Sequence, residues 1–188
     1  VAEHYSPEQA GGLYSIQAKQ MRVLGINMNL APVIEPVIDS NRGFLGNRSF
    51  GNAPASIAYS MKCIAAYEKN GVATVVKHFP GNTNTDPHTG LPVINLSDSD
   101  FEMYCLVPFA FAMTQNPSAI LMSHTIVKGK DEKSPACLSF YWINDVLKDT
   151  LGYEGLVVSD DIFMGALADY GYPPEVAVVQ AVKAGTDI

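Results

Sequence analysis

Two short stretches of the chain collect side chains that can move protons or attack carbon. In GLVVSDDIFMGAL an apolar run delivers Asp160 and Asp161 to its end, where one of them could serve as a carboxylate nucleophile. The same Ser-Asp-Asp turn could equally cap a helix N-terminus and do nothing chemical. In KHFPGNTNTDPHTGLP, which runs from Lys77 to Pro92, the cation of Lys77 and the imidazole of His78 end another apolar run, and the loop that follows holds Asp86 and His88. Asp86 and His88 are close enough in sequence to touch across a turn. A carboxylate beside an imidazole fixes its tautomer and favours its protonated form, giving a proton donor usable near neutral pH. The alternative is an Asx-turn formed by Asp86 ahead of Pro87, with His88 simply exposed. A third stretch, the glycine-rich GFLGNRSFG, holds Arg48 and follows Arg42. A guanidinium there is either a solvated charge or a fixed fork of donors for ligand hydroxyls or carboxylates.

Several chemistries lack their residues. No third acid accompanies Asp160 and Asp161 to complete an oxygen cage, so the pattern implies no metal. GxxxxGK[ST] is absent and no GxGxxG follows an apolar run, which disfavours nucleotide cofactors; no serine sits in a GxSxG elbow. No organic cofactor is implied. With 12 Lys and Arg against 19 Asp and Glu, the net charge of −7 argues against a nucleic-acid or anionic-membrane partner and leaves small neutral or cationic substrates open. Cys63, Cys105 and Cys137 have neither disulfide-framework nor zinc spacing and read as packing thiols. His124, in LMSHT, either lines a site or hydrogen-bonds within the fold. His4 reads as exposed and Trp142 as core.

These residues need a scaffold, and 188 residues that are 47% hydrophobic can bury a core. Apolar runs recur at INMNLAPV, VATVVKHF, AILMSH, LVVSDD and the terminal TDI, each reading as a buried parallel strand. Helical spacing fills the intervals: Pro7 to Leu24 behind the cap Ser6, residues 54 to 69, Asp98 to Thr114 with Pro108 expected to kink it, Ser139 to Leu151, and Pro174 to Ala184. Such alternation predicts an α/β fold with right-handed crossovers, either an open doubly wound sheet or part of a barrel. Lys77, His78, His124, Asp160 and Asp161 all fall at C-terminal strand ends, which in a barrel share one face, and this favours a TIM-type (β/α)8 barrel. The long loops of residues 34 to 53 and 80 to 97 exceed ordinary connections and are expected to carry function. Nothing approaches the roughly 18 apolar residues of a membrane span. The opening VAEHYSPEQAGGLYS lacks the blocks of a secretory signal, which favours a cytoplasmic setting; a leader upstream of Val1 would change that.

Taken together, GINMNLAPVIEPV, GNRSFG, VVKHFPG, DPHTGLP, SPACLSFYWINDVLKDTLGYEGLVVSDDIFMGAL and AGTDI resemble, in order, the catalytic barrel of glycoside hydrolase family 3, and most closely its bacterial β-N-acetylglucosaminidase branch. The resemblance implies a retaining exo-β-N-acetylglucosaminidase acting on cell-wall or chitin-type saccharides, with Asp160 as nucleophile, His88 as general acid/base, Asp86 as its partner, and Arg48, Lys77 and His78 holding sugar hydroxyls. It implies no cofactor. Two alternatives stay open: a β-glucosidase or β-xylosidase of the same family, whose acid comes from a second domain, and a non-catalytic carbohydrate-binding barrel. The sequence departs from the family where KHFPG lacks its following His-Gly, where the loop is shorter, and where Pro87 stands in place of a serine. By the same resemblance, residues 1–188 are expected to form a single partial barrel domain. The first strands belong upstream of Val1 and the closing segment downstream of Ile188, so the barrel is expected to be incomplete in this chain.

Overall fold

The computed structural model describes all of residues 1–188. Helix α1 (Pro7–Val23) starts where Ser6 and Gln9 cap each other reciprocally, the Ser6 hydroxyl accepting from the Gln9 amide and the Gln9 side chain from the Ser6 amide. Strand β1 (Met28–Asn29) follows, then the short α2 (Arg42–Leu45) with a 3₁₀ turn at Gly46–Arg48, and α3 (Ala53–Lys69), capped by Asn52. Next come β2 (Ala73–Phe79), β3 (Val93–Ile94), α4 (Asp98–Phe101) and α5 (Val107–Met113), then β4 (Ala119–Met122) and β5 (Ile126–Val127). A wide helical segment at Tyr141–Thr150 leads to β6 (Leu156–Ser159), α6 (Gly165–Asp169) and α7 (Pro174–Ala184).

Strands β1, β2, β4 and β6 form one sheet in that order, every pair parallel, with helices in each crossover. This is the expected α/β barrel topology, present as a four-strand arc whose edges are β1 and β6 rather than as a closed ring. Side chains alternate across the sheet with the two-residue period of a strand. Val76, Ile120, Met122 and Val157 point to the helices and pack with Phe109, Trp142, Ile143 and Leu147 in the main core. Val75, Ala119 and Leu121 form a separate cluster with Val158 on the other side, the concave face of the arc. Phe79 meets Phe109 edge-on at 5.0 Å, a pairing worth about 0.5–1.5 kcal/mol beyond its buried area. Trp142 is buried as expected, His4 is exposed, and all three cysteines are buried and free.

The structure sharpens or alters several of the sequence expectations. The strand expected from Ile26 shrinks to Met28–Asn29, because Pro32 and Pro36 lack the amide a ladder needs; only Val33 rejoins, as an isolated bridge to Lys77. The terminal TDI does run beside β6 as expected: the Val157 carbonyl accepts the Asp187 and Ile188 amides at 2.8 and 3.2 Å, the Ser159 amide donates to Ile188 O at 2.8 Å, and the Asp187 carboxylate accepts the Val157 amide at 2.8 Å. The helix expected to kink at Pro108 instead widens to a π-helical turn at Glu102–Leu106, so that Pro108 falls in the first turn of α5, where its missing amide costs nothing. The two long loops carry structure of their own: α2 lies in the first, and β3 of the second pairs with β5 as a small parallel sheet over the strand ends. No helix is long and apolar enough to cross a membrane.

Candidate active site

Register brings Lys77 and Asp160 to one face. Lys77 pairs with Leu121, and Leu121 with Val158. Val75 and Val158 lie on the concave side, so two residues further along their strands Lys77 and Asp160 emerge on that same side. Asp160 sits just past the end of β6, where its amide donates to Met122 O at 3.2 Å. Its carboxylate Oδ1 accepts the Asp161 amide at 2.9 Å, and Oδ2 is left without a protein donor. Asp161 turns outward, and its carboxylate caps the following turn by accepting the Phe163 amide. The two acids that the residue pattern left open thus differ in their partners: Asp161 does the capping, and Asp160 keeps one oxygen free.

The charges around the mouth feel one another. Burial holds the Lys77 ammonium below the ordinary lysine value; Asp160 opposes that, Arg48 adds to it, and Glu35 opposes it. Arg48 donates to Phe44 O at 2.6 Å and stacks over the Phe44 ring at 4.5 Å, which folds its guanidinium onto its own loop. Lys77 and Arg48 line a cleft of about 1350 Å³ on the β1 side of the arc, whereas Asp160 borders a separate hollow of about 290 Å³ on the β6 side, with Phe163 and Ile188.

His78 follows Lys77 where the register of β2 shifts, and it is buried. Its Nδ1 lies 2.6 Å from Glu35 Oε1, which also accepts the His78 amide at 3.2 Å and lies 3.4 Å from the Asn82 amide nitrogen. Glu35 is itself only 2% exposed. Sequence reasoning missed it, although an acid set between Val33, Ile34 and Pro36 was a signal of a carboxylate buried with a partner.

Asp86 and His88 do touch. The Asp86 Oδ1 accepts the His88 amide at 2.9 Å and lies 2.8 Å from His88 Nδ1, so the Asx-turn and the side-chain pair exist together. The backbone bond from His88, then its ring, and more weakly the Arg48 guanidinium hold the Asp86 carboxyl below its ordinary value. Both side chains are more than half exposed. Their loop is nonetheless tied down: Pro87 is buried, its carbonyl accepts the Ala166 amide at 3.1 Å, and the His88 carbonyl rests against Gly165, where a Cβ would lie 2.8 Å from its oxygen. Residues 165 and 166 belong to the segment that begins at Asp160. The shortened loop with its proline thus docks on the start of α6.

His124 is buried behind the same turn. Its Nε2 lies 3.0 Å from Asp161 O and its Nδ1 lies 3.0 Å from Cys137 Sγ. Burial pushes the imidazole below the ordinary histidine value, against opposing pulls from Asp160 and Asp161. Cys137, read from sequence as a packing thiol, is buried and also makes this polar contact. No group of three or more His, Cys, Asp or Glu side chains is arranged to hold a metal.

Residues 1–188 match the family described as the glycosyl hydrolase family 3 N-terminal domain. The chain is 34% identical over 179 residues to a beta-hexosaminidase of Alkalilimnicola ehrlichii, covering 92% of this chain and 50% of that protein. It is 30% identical over 185 residues to beta-hexosaminidase A of Pseudoalteromonas piscicida, covering 90% and 31%. The solved structure of a glycoside hydrolase family 3 beta-N-acetylglucosaminidase from Paenibacillus sp. superimposes with a TM-score of 0.90 at 34% identity, covering 97% of this chain and 35% of that one. The chain spans between about a third and half the length of these relatives.

Proposed function

The chain belongs to the glycosyl hydrolase family 3 N-terminal domain family, and on that premise we propose that it carries the working face of a retaining exo-β-N-acetylglucosaminidase that releases terminal N-acetylglucosamine from cell-wall or chitin-type saccharides. Residues 1–188 act in this reading as one partial catalytic barrel domain. The free Oδ2 of Asp160 attacks the anomeric carbon while protonated His88, oriented by Asp86, gives its proton to the departing glycosidic oxygen. The resulting glycosyl-enzyme is hydrolysed by a water that His88, now neutral, deprotonates. Two displacements on one carbon retain its configuration, with imidazole in place of the usual second carboxylic acid. Lys77, Arg48 and His78 hold sugar hydroxyls, His78 offering Nε2 because Glu35 occupies Nδ1.

The observation that carries the reading is the docking of the Asp86–His88 loop on the segment that starts at Asp160, through Pro87 O to Ala166 N and His88 O against Gly165. It ties the loop that holds this imidazole and its carboxylate partner to the segment that follows Asp160, which supports a working pair of His88 and Asp160. The relatives' printed names, beta-hexosaminidase and beta-N-acetylglucosaminidase, support the same substrate class.

The test is turnover of a fluorogenic N-acetylglucosaminide against the matching glucoside by the full-length protein. N-acetylglucosaminide cleavage is expected, with Asp160→Asn lowering kcat by about 10³-fold or more and His88→Ala by about 10²–10⁴-fold. Wild-type rates in both variants would remove the site assignment. Cleavage of the glucoside alone would move the protein to the glucosidase branch, and sugar binding without turnover would make it a binding barrel.

A further inference from the structure

Asp160 is held at the end of a short chain of hydrogen bonds that starts at a buried thiol. Two bonds fix its backbone: the Asp160 amide donates to Met122 O at 3.2 Å, and the Ser159 hydroxyl donates to Asp160 O at 2.6 Å. The next peptide is anchored from behind by His124, whose Nε2 sits 3.0 Å from Asp161 O. A carbonyl can only accept, so Nε2 carries the proton and the neutral ring presents Nδ1 as an acceptor. Cys137 Sγ lies 3.0 Å from that nitrogen and its S–H is the donor that meets it. Both side chains are buried, His124 at 1% and Cys137 at 0% exposure, so water does not substitute for either.

We propose that His124 is a positioning residue for Asp160, and that the Cys137 thiol locks its tautomer by donating to Nδ1 so that Nε2–H holds the Asp161 carbonyl. The inference rests on the reading of Asp160 as nucleophile. The geometry explains how the free Oδ2 keeps its aim although Asp160 lies beyond the sheet ladder. The Asp161 amide that holds Oδ1 and the Asp161 carbonyl that His124 holds belong to the same residue, so a turn of the ring reaches the carboxylate through one residue of backbone. Burial acts in the same direction, pushing the Cys137 thiol well above its ordinary value and the His124 imidazole below its own, so the pair stays thiol and neutral ring. Either ring nitrogen of a neutral imidazole can carry the proton, and the bonds at each side decide which. Removing the thiol leaves a buried nitrogen without a donor and frees the ring to turn.

The experiment compares Cys137→Ala with Cys137→Ser in the full-length protein. Serine keeps an O–H donor near the same place, and alanine keeps neither donor nor bulk. Cys137→Ala is expected to lower kcat about tenfold with KM changed less than about twofold, and Cys137→Ser is expected to stay within about twofold of wild type in both. Backbone amide exchange at residues 159–162 should quicken about tenfold in the alanine variant and not in the serine variant. Nitrogen-15 shifts of the wild-type ring should report the Nε2–H tautomer. A wild-type kcat in Cys137→Ala, a serine variant as impaired as alanine, or a ring protonated at Nδ1 would each overturn the proposal. If the wild-type protein cleaved no glycoside, the reading of Asp160 would fall. The ring tautomer and the exchange of residues 159–162 would still decide whether His124 anchors the turn.

Discussion

Adding one methyl group at Gly165 tests whether the docking of the Asp86–His88 loop matters to the proposed chemistry. A Cβ built there lies 2.8 Å from the backbone oxygen of His88. The contact is backbone, so no rotamer relieves it, and the His88 carbonyl must retreat about 0.6 Å to reach ordinary contact at 3.4 Å. That retreat stretches the bond from Ala166 N to Pro87 O, now 3.1 Å, past hydrogen-bond length. Catalytic geometry loses about 10²-fold in rate for a misplacement of about 1 Å. A shift of about 0.6 Å therefore predicts a fall in kcat of roughly tenfold, or about 1.4 kcal/mol. Stability should hardly move. The lost hydrogen bond costs about 0.5–1.5 kcal/mol, and replacing glycine by alanine in the first turn of α6 returns about 0.5–1 kcal/mol. The assay is N-acetylglucosaminide turnover by full-length Gly165→Ala, with thermal unfolding alongside, and the same change made in His88→Ala. The single variant should lose activity at an unchanged Tm. In the His88→Ala background the further loss should be small, because the group being misplaced is already gone. A Gly165→Ala enzyme with wild-type kcat would refute the reasoning, since the loop would then reach its working position without the observed docking.

Glu35→Ala leaves the His78 ring nitrogen and the Asn82 amide unpaired in a buried site, and should cost about 1–3 kcal/mol, seen as a lower urea midpoint at constant slope; KM should rise as well because His78 loses its orientation. Glu68, at the opposite end of the sheet, accepts from Thr74 N, Thr74 Oγ1, Ser118 N and Ser118 Oγ and so ties the starts of β2 and β4 together. Glu68→Ala should lower stability by about 3 kcal/mol while the folded fraction keeps its kcat; a large fall in kcat at low temperature would contradict that division between the two barrel faces. Lys77 has its folded pKa below the ordinary 10.5 because of burial, so it loses its charge earlier than an exposed lysine as pH rises. KM should climb on the alkaline side starting below that value. In the same window the unfolded chain holds the extra proton, so stability should increase with pH while binding weakens. A KM that stays flat to pH 10.5 would remove Lys77 from sugar binding.

The sequence by itself determined what is local: the alternation of apolar strands and amphipathic helices, the capping of α1 by Ser6, the parallel α/β topology, and the delivery of Lys77, His78, His124 and Asp160 to C-terminal strand ends. Each follows from a period or a cap readable within a few residues. The Asx-turn that joins Asp86 to His88 was legible for the same reason, as two residues apart are neighbours in any turn. What the tertiary structure decided is every partnership between distant residues. Glu35 meets His78 across 43 positions, and Cys137 meets His124 across 13. Gly165 receives His88 from a loop whose shortening and proline were visible in sequence without any sign of where the loop would rest. The resemblance had already pointed to Asp160 over Asp161, but only the turn beyond β6 shows which carboxylate is spent on capping. Such choices depend on strand register and on how loops pack over the sheet, and both are set by the sum of many weak contacts from the whole chain rather than by the residues that end up touching.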